Sequence, residues 1–113
     1  ENGHIAFNDP DMADFNDKKA IKPVQLDDMC RNQQVHDGCF ATIDDVPTHA
    51  FTLTIPSLTA AKVMICTVPA ATKANAVYNT VKADITVDVP ATIMRLHDNA
   101  TMYCDADSGA KLL

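Results

Sequence analysis

Near the start of the chain, Asn2-Gly3-His4-Ile5-Ala6-Phe7-Asn8-Asp9-Pro10 sets a glycine beside a histidine, followed by a short apolar run, an amide, a carboxylate and a proline. Histidine exchanges protons near neutral pH after only a small change of environment, and a carboxylate held against it decides which ring nitrogen carries the proton. Asp9 is close enough along the chain to orient His4. Gly3 tolerates positive φ or the close approach of another group, so a sharp turn there can present His4 at the mouth of a cleft. The bland alternative is a satisfied histidine beside a turn. A second place with chemistry is Val68-Pro69-Ala70-Ala71-Thr72-Lys73-Ala74. An apolar run ends there and helical spacing begins, and ligands of open α/β sheets gather beyond the carboxyl ends of strands, where a helix N-terminus offers unpaired N–H groups to an anion. Lys73 adds a mobile charge. Alone, such a lysine is ordinary solvated surface, and the macrodipole slightly disfavours a cation at that end; an anionic ligand would explain it better.

The elements that must position these residues follow from periodicity and punctuation. Asp11 to Lys19 is a charged, proline-preceded loop with Phe7 and Phe15 as apolar anchors. Ile21 to Leu26 alternates apolar and polar residues, and Pro23 makes it a short or edge strand. Asp27 or Asp28 caps a short polar helix over Met29 to His36, with Gly38 as its stop. Cys39 to Pro47 reads as a loop with an Asp44-Asp45 turn, and Thr48 to Ile55 as a strand. Pro56 and Ser57 open a helical turn to Ala61. Lys62 to Val68 is the most continuous apolar run, which predicts a strand buried on both faces. Thr72 to Ala83 has helical spacing with Ala74, Val77, Tyr78 and Val81 on one face. Asp84 to Val89 is a connection. Pro90 starts a further helix through His97 that carries Ile93, Met94 and Leu96 inward. Ala100 to Cys104 is a last strand, and Asp105 to Leu113 a loop with a weak terminal turn. Strands alternating with helices predict an α/β sheet of mainly parallel strands.

Composition narrows the function classes. The 113 residues carry a net charge of −6 with nine scattered Lys and Arg, and the pI is near 4.8. That balance argues against nucleic acid and anionic membranes as partners. No apolar run approaches the ~20 residues of a membrane span. Cys30, Cys39, Cys66 and Cys104 form no Cys-x-x-Cys pair, which fits the free thiols of a cytoplasmic protein. His36, His49 and His97 lack ligand spacing with the cysteines, so no metal site is expected. Asp27-Asp28 and Asp44-Asp45 are read as cap and turn carboxylates.

Gly3-His4-Ile5-Ala6-Phe7-Asn8-Asp9-Pro10 resembles the active-site segment of the glucosamine-6-phosphate deaminase/isomerase family, Gly-His-Ile-(Ala/Gly)-Phe-Asn-Glu-Pro. Asp9 replaces the final glutamate with a carboxylate shorter by one methylene and so of less reach towards the histidine. Asn2 stands where members carry aspartate or asparagine. Related 6-phosphogluconolactonases follow their Gly-His pair with a Ser-Leu-Phe-Pro type run, and Ala6-Phe7-Asn8 sides with the deaminases. Ala70 to Ala74 matches a second signature, a small-residue turn ending in Lys-Ala. Looser matches at Thr52-Leu53-Thr54, Pro90-Ala91-Thr92 and Leu96-His97 extend the resemblance over nearly the whole chain.

What the resemblance implies is a Rossmann-like α/β fold, a mainly parallel sheet flanked by helices. Residues 1–113 would be an incomplete C-terminal portion of a single domain about twice as long, within ordinary domain sizes. It implies conversion of glucosamine 6-phosphate to fructose 6-phosphate and ammonia without a metal or redox cofactor. His4, Asp9 and Asn2 would be the catalytic set and Lys73 the phosphate ligand; the enolisation base would lie in the N-terminal half, leaving the fragment alone inactive. A small sugar phosphate is the implied partner, with room for a homo-oligomer. A lactone hydrolase and a non-catalytic sugar-phosphate-binding effector domain are the competing readings. Many deaminases carry a phosphate-binding arginine in the stretch that here reads Gln34 to Phe40, without an arginine; Arg31 lies earlier and does not inherit the role.

Overall fold

A computed structural model describes residues 1–113. Its four strands form two separate two-stranded sheets. Strand β1 (Ile21–Gln25) pairs antiparallel with β2 (His49–Leu53), while β3 (Met64–Val68) pairs parallel with β4 (Ala100–Cys104). The strand–helix alternation of the α/β class is present, but within this chain the sheet is not mainly parallel: one pair runs each way. The connection after β1 passes through helix α1 (Asp28–His36) and returns the chain to the end it left, where Leu26 N–H donates to Thr48 O at 2.8 Å. β2 therefore starts beside the finish of β1.

That register also explains how a strand tolerates Pro23. Thr54 N–H donates to Ala20 O and Leu26 N–H to Thr48 O, and hydrogen-bonded antiparallel pairs recur every second residue. The pairing Pro23↔Phe51 falls between them, where no ladder donor is needed. Asp27 caps α1 by accepting from Cys30 N–H at 2.7 Å, and Gly38, at φ +79°, follows its end. Helix α1 covers a small core in which Val24, Leu26 and Cys30 pack with Phe7, Met12 and Ala50. Burial there pushes the Cys30 thiol up to about 11, reinforced by the Asp9 and Asp27 carboxylates.

Three local expectations are corrected. β3 is not buried on both faces: Met64, Cys66 and Val68 are half-buried, whereas Ile65 is 70% exposed. It has a single strand neighbour, and Tyr103 on β4 is exposed as well. Helix α3 (Ala74–Lys82), led by a 3-10 turn at Ala71–Lys73, buries Val77 and Thr80 and leaves Tyr78 and Val81 at the surface. The segment Pro90–Leu96 is a 3-10 helix, not an α-helix. Its three-residue turn brings Pro90, Ala91 and Thr92 inside and leaves Leu96 exposed. Thr92 fastens it, the hydroxyl donating to Val89 O at 2.7 Å and accepting from Thr86 N–H at 3.0 Å. A five-residue helix α2 (Ile55–Thr59) links the two sheets, with Pro56 in its first turn and Ile55 buried.

Candidate active site

The loop that carries His4 is held from both ends. On one side Gly3 sits at φ +81°, and its carbonyl accepts from Ala91 N–H at 2.8 Å. A Cβ at Gly3 would lie 2.8 Å from Val89 Cγ1. Both the backbone conformation and the close approach of Val89 therefore require glycine. On the other side, the turn closes through Asn8 N–H to Ile5 O at 2.9 Å, with Ala6 at φ +51°. The fully buried Asn8 side chain ties that turn to β2, its Nδ2 donating to Ile5 O at 2.9 Å and to Leu53 O at 2.8 Å. Phe7 N–H donates to the Thr52 hydroxyl at 3.1 Å. Thr52 points inward on β2 and is buried.

Between these anchors, Asn2, His4 and Asp9 meet. Asn2 Oδ1 lies 2.8 Å from His4 Nδ1 and also accepts from the His4 backbone N–H at 3.0 Å. Asn2 Nδ2 donates to Asp9 Oδ1 at 3.0 Å. The amide orientation is thereby determined, because the carboxylate can only accept and the backbone N–H can only donate. An amide oxygen facing Nδ1 requires a proton on that nitrogen, leaving Nε2 as the basic site of the neutral ring. The carboxylate itself stands 3.7 Å from His4 Nδ1. Asp9 therefore orients His4 through Asn2 rather than directly, which agrees with its shorter reach. Its other oxygen, Oδ2, is buried without a hydrogen-bond partner. Burial holds the His4 pKa below its ordinary value, with Asp9 opposing part of that effect.

Lys73 faces the same cleft. It ends the 3-10 turn before α3, whose first turn has no side-chain cap. Its ammonium lies 3.5 Å from Glu1 Oε1. The turn is shaped by Ala70, at φ +83°, ψ 151°, whose N–H donates to Asp105 Oδ2 at 2.9 Å. Asp105 Oδ1 accepts from Ser108 N–H at 2.7 Å, and these backbone donors hold its carboxyl below the usual carboxylate range. The cleft has a volume of about 590 Å³ and a mostly apolar lining, with His4, Lys73 and Glu1 among its few polar groups. The structure thus brings His4, Asn2 and Asp9 into one hydrogen-bonded group and sets Lys73 on the same cleft as His4. Arg31 lies away from it, donating through Nη2 to Ile43 O at 2.9 Å and Val46 O at 3.1 Å. His49 contacts Thr48 Oγ1 and His97 contacts Ala61 O. No three His, Cys, Asp or Glu side chains converge to hold a metal ion.

Sequence reasoning did not find Asn8, Thr52, Ala91 or Glu1. Thr52 left a faint signal as a polar residue between Phe51 and Leu53, and Asn8 as the amide that ends the Ile5-Ala6-Phe7 run. The Gly3–Ala91 and Glu1–Lys73 contacts left none, because they join residues remote in the chain.

The chain is similar to known proteins over nearly all of its length. The chain is 34% identical over 113 residues to a glucosamine-6-phosphate deaminase of Corynebacterium glutamicum strain R, covering 98% of this chain and 42% of that protein. A protein of the same name from Bacillus pumilus is 34% identical over 110 residues, 97% of this chain and 44% of the relative. One from Streptococcus equi subsp. zooepidemicus is 32% identical over 111 residues. A solved structure of a monomeric glucosamine-6-phosphate deaminase, described as a missing link of the NagB superfamily, superposes with a TM-score of 0.88 at 30% identity. That match covers 96% of this chain and 43% of the other. The chain spans less than half the length of these relatives. No protein-family model matches it.

Proposed function

From its homology with the glucosamine-6-phosphate deaminases, we propose that the chain is the C-terminal part of a single sugar-phosphate isomerase/deaminase domain. The reaction is conversion of glucosamine 6-phosphate and water to fructose 6-phosphate and ammonia. The observation that carries this reading is the Asn2–His4–Asp9 group at a cleft that also presents Lys73. A neutral His4 with its proton on Nδ1 offers Nε2 to a hydroxyl of the substrate. It can thereby pass a proton to or from the sugar ring oxygen as the ring opens. When the ring becomes imidazolium, Asn2 keeps it in place and the Asp9 carboxylate 3.7 Å away offsets the charge. The following proton shift between the first two carbons needs a carboxylate base that these residues do not supply, and release of the amino group as ammonia completes the reaction. Lys73, beside the uncapped start of α3, is suited to the phosphate. A binding domain without chemistry would need Lys73 but not a histidine whose tautomer and orientation are held by Asn2 and Asp9.

The test is His4→Gln in the full-length protein, assayed by ammonia release from glucosamine 6-phosphate. A positioned acid–base group contributes about 10²- to 10⁴-fold, so a loss in that range is expected. Near-normal turnover would remove His4 from the mechanism.

A further inference from the structure

We propose that Glu1 is a specificity-determining residue of this cleft: its carboxylate engages the Lys73 ammonium and limits how tightly the site takes a phosphate dianion. The proposal rests on the reading of Lys73 as the phosphate ligand. Lys73 is the single Lys or Arg lining the cleft, and Glu1 lines it too, with the two charged groups 3.5 Å apart. Arg31, on helix α1, which borders the cleft at Gln33, is engaged by the carbonyls of Ile43 and Val46. His4 is held towards its neutral form by burial. Among the residues of this chain that line the cleft, the charges of Lys73 and Glu1 therefore offset each other.

A phosphate monoester carries about −1.5 to −2 near neutral pH. To reach Lys73 it must separate the ion pair and then tolerate a carboxylate beside it. The pair is loose and partly solvated, with the Lys73 and Glu1 side chains 20% and 33% exposed. Such pairs contribute at most about 1 kcal/mol, corresponding to about a fivefold effect. Glu1 is accordingly a displaceable competitor that lowers affinity without abolishing it. The effect grows with the ligand's negative charge, so it falls on phosphorylated sugars and spares neutral ones.

The experiment is steady-state kinetics of the full-length protein with Glu1→Gln, alone and combined with Lys73→Ala, at constant ionic strength. Inorganic phosphate serves as a competitive inhibitor. Glu1→Gln is expected to lower both KM for glucosamine 6-phosphate and Ki for phosphate by about two- to fivefold, with the change carried by KM rather than kcat. A gain in affinity is not produced by damage to the fold. Lys73→Ala is expected to raise KM by about ten- to a hundredfold, and the benefit of Glu1→Gln should shrink in its presence. Unchanged or raised constants for Glu1→Gln, with Lys73→Ala still raising KM, would overturn the role of Glu1 and leave Lys73 as the phosphate ligand. An undiminished gain in the double variant would show that Glu1 does not act through Lys73. An unaffected KM in Lys73→Ala would overturn the phosphate reading, and the role of Glu1 with it.

Discussion

Asn2 is the residue on which the behaviour of His4 turns. It accepts from the ring at 2.8 Å and hands the contact on to Asp9 at 3.0 Å. Burial holds the His4 pKa below 6.5. As pH falls below 6.5 the unfolded chain takes up this proton before the folded one does, so stability declines as pH drops towards the folded value. Well above 6.5 both states are neutral at this position and the contribution vanishes. An NMR titration of the full-length protein should place His4 below 6.5, with Nδ1 protonated and Nε2 bare on the alkaline side. Asn2→Asp puts a carboxylate where the amide oxygen now lies, which favours the imidazolium and should raise the His4 pKa. No movement in that variant would show that Asn2 is not the ring's partner.

At the level of elements, each turn of the cleft is tied to a segment distant in sequence. β2 holds the His4 loop through Asn8 and Thr52, the 3-10 helix at Pro90–Leu96 holds Gly3, and Asp105 beyond β4 holds Ala70. Ala70 shows the strain this involves. Its φ of +83° with ψ of 151° is a region that only glycine enters freely, at ~1–3 kcal/mol for other residues. Glycine would relieve that strain but add ~0.5–1 kcal/mol of backbone entropy to lose on folding. Ala70→Gly is therefore expected to stabilise the folded protein by about 1 kcal/mol, read as a higher urea midpoint with an unaltered slope. A lower midpoint would mean that the left-handed conformation at Ala70 is not the one populated in solution.

Taken whole, the molecule is thinly packed. It exposes 6849 Å², against about 6,100 Å² for a folded monomer of this mass, and only seven hydrophobic residues are buried. Phe51, Ile65 and Tyr103 are 77%, 70% and 58% exposed, the last two on the β3–β4 sheet. Uncovered apolar sheet surface of this kind fits part of a domain about twice as long, as proposed above. Residues 1–113 expressed alone should accordingly bind a hydrophobic fluorescent dye strongly and release no ammonia from glucosamine 6-phosphate. Weak dye binding together with catalytic turnover would show that the segment is a complete enzyme. No helix is long and apolar enough to cross a membrane.

Periodicity and turn residues were enough to locate the elements. Pro23 marked an edge, the Asp27-Asp28 pair a cap, Gly3 a turn that needs positive φ, and the Val68 to Ala74 junction a strand passing into a helix. Those are local preferences, expressed within a few residues of backbone. The direction of β2 beside β1, the 3-10 form of Pro90–Leu96 and the exposed face of β3 depend on what each segment packs against, which no window of sequence contains. The same holds for the cleft. Gly3, His4 and Lys73 stood out by type and spacing, whereas the routing of Asp9 through Asn2, the clamp from Thr52 and the pairing of Glu1 with Lys73 arise from distances of a few ångströms between chain segments. Hydrogen bonds and charges act over those distances regardless of separation along the chain, so the fold, by bringing remote residues together, selects which of them meet.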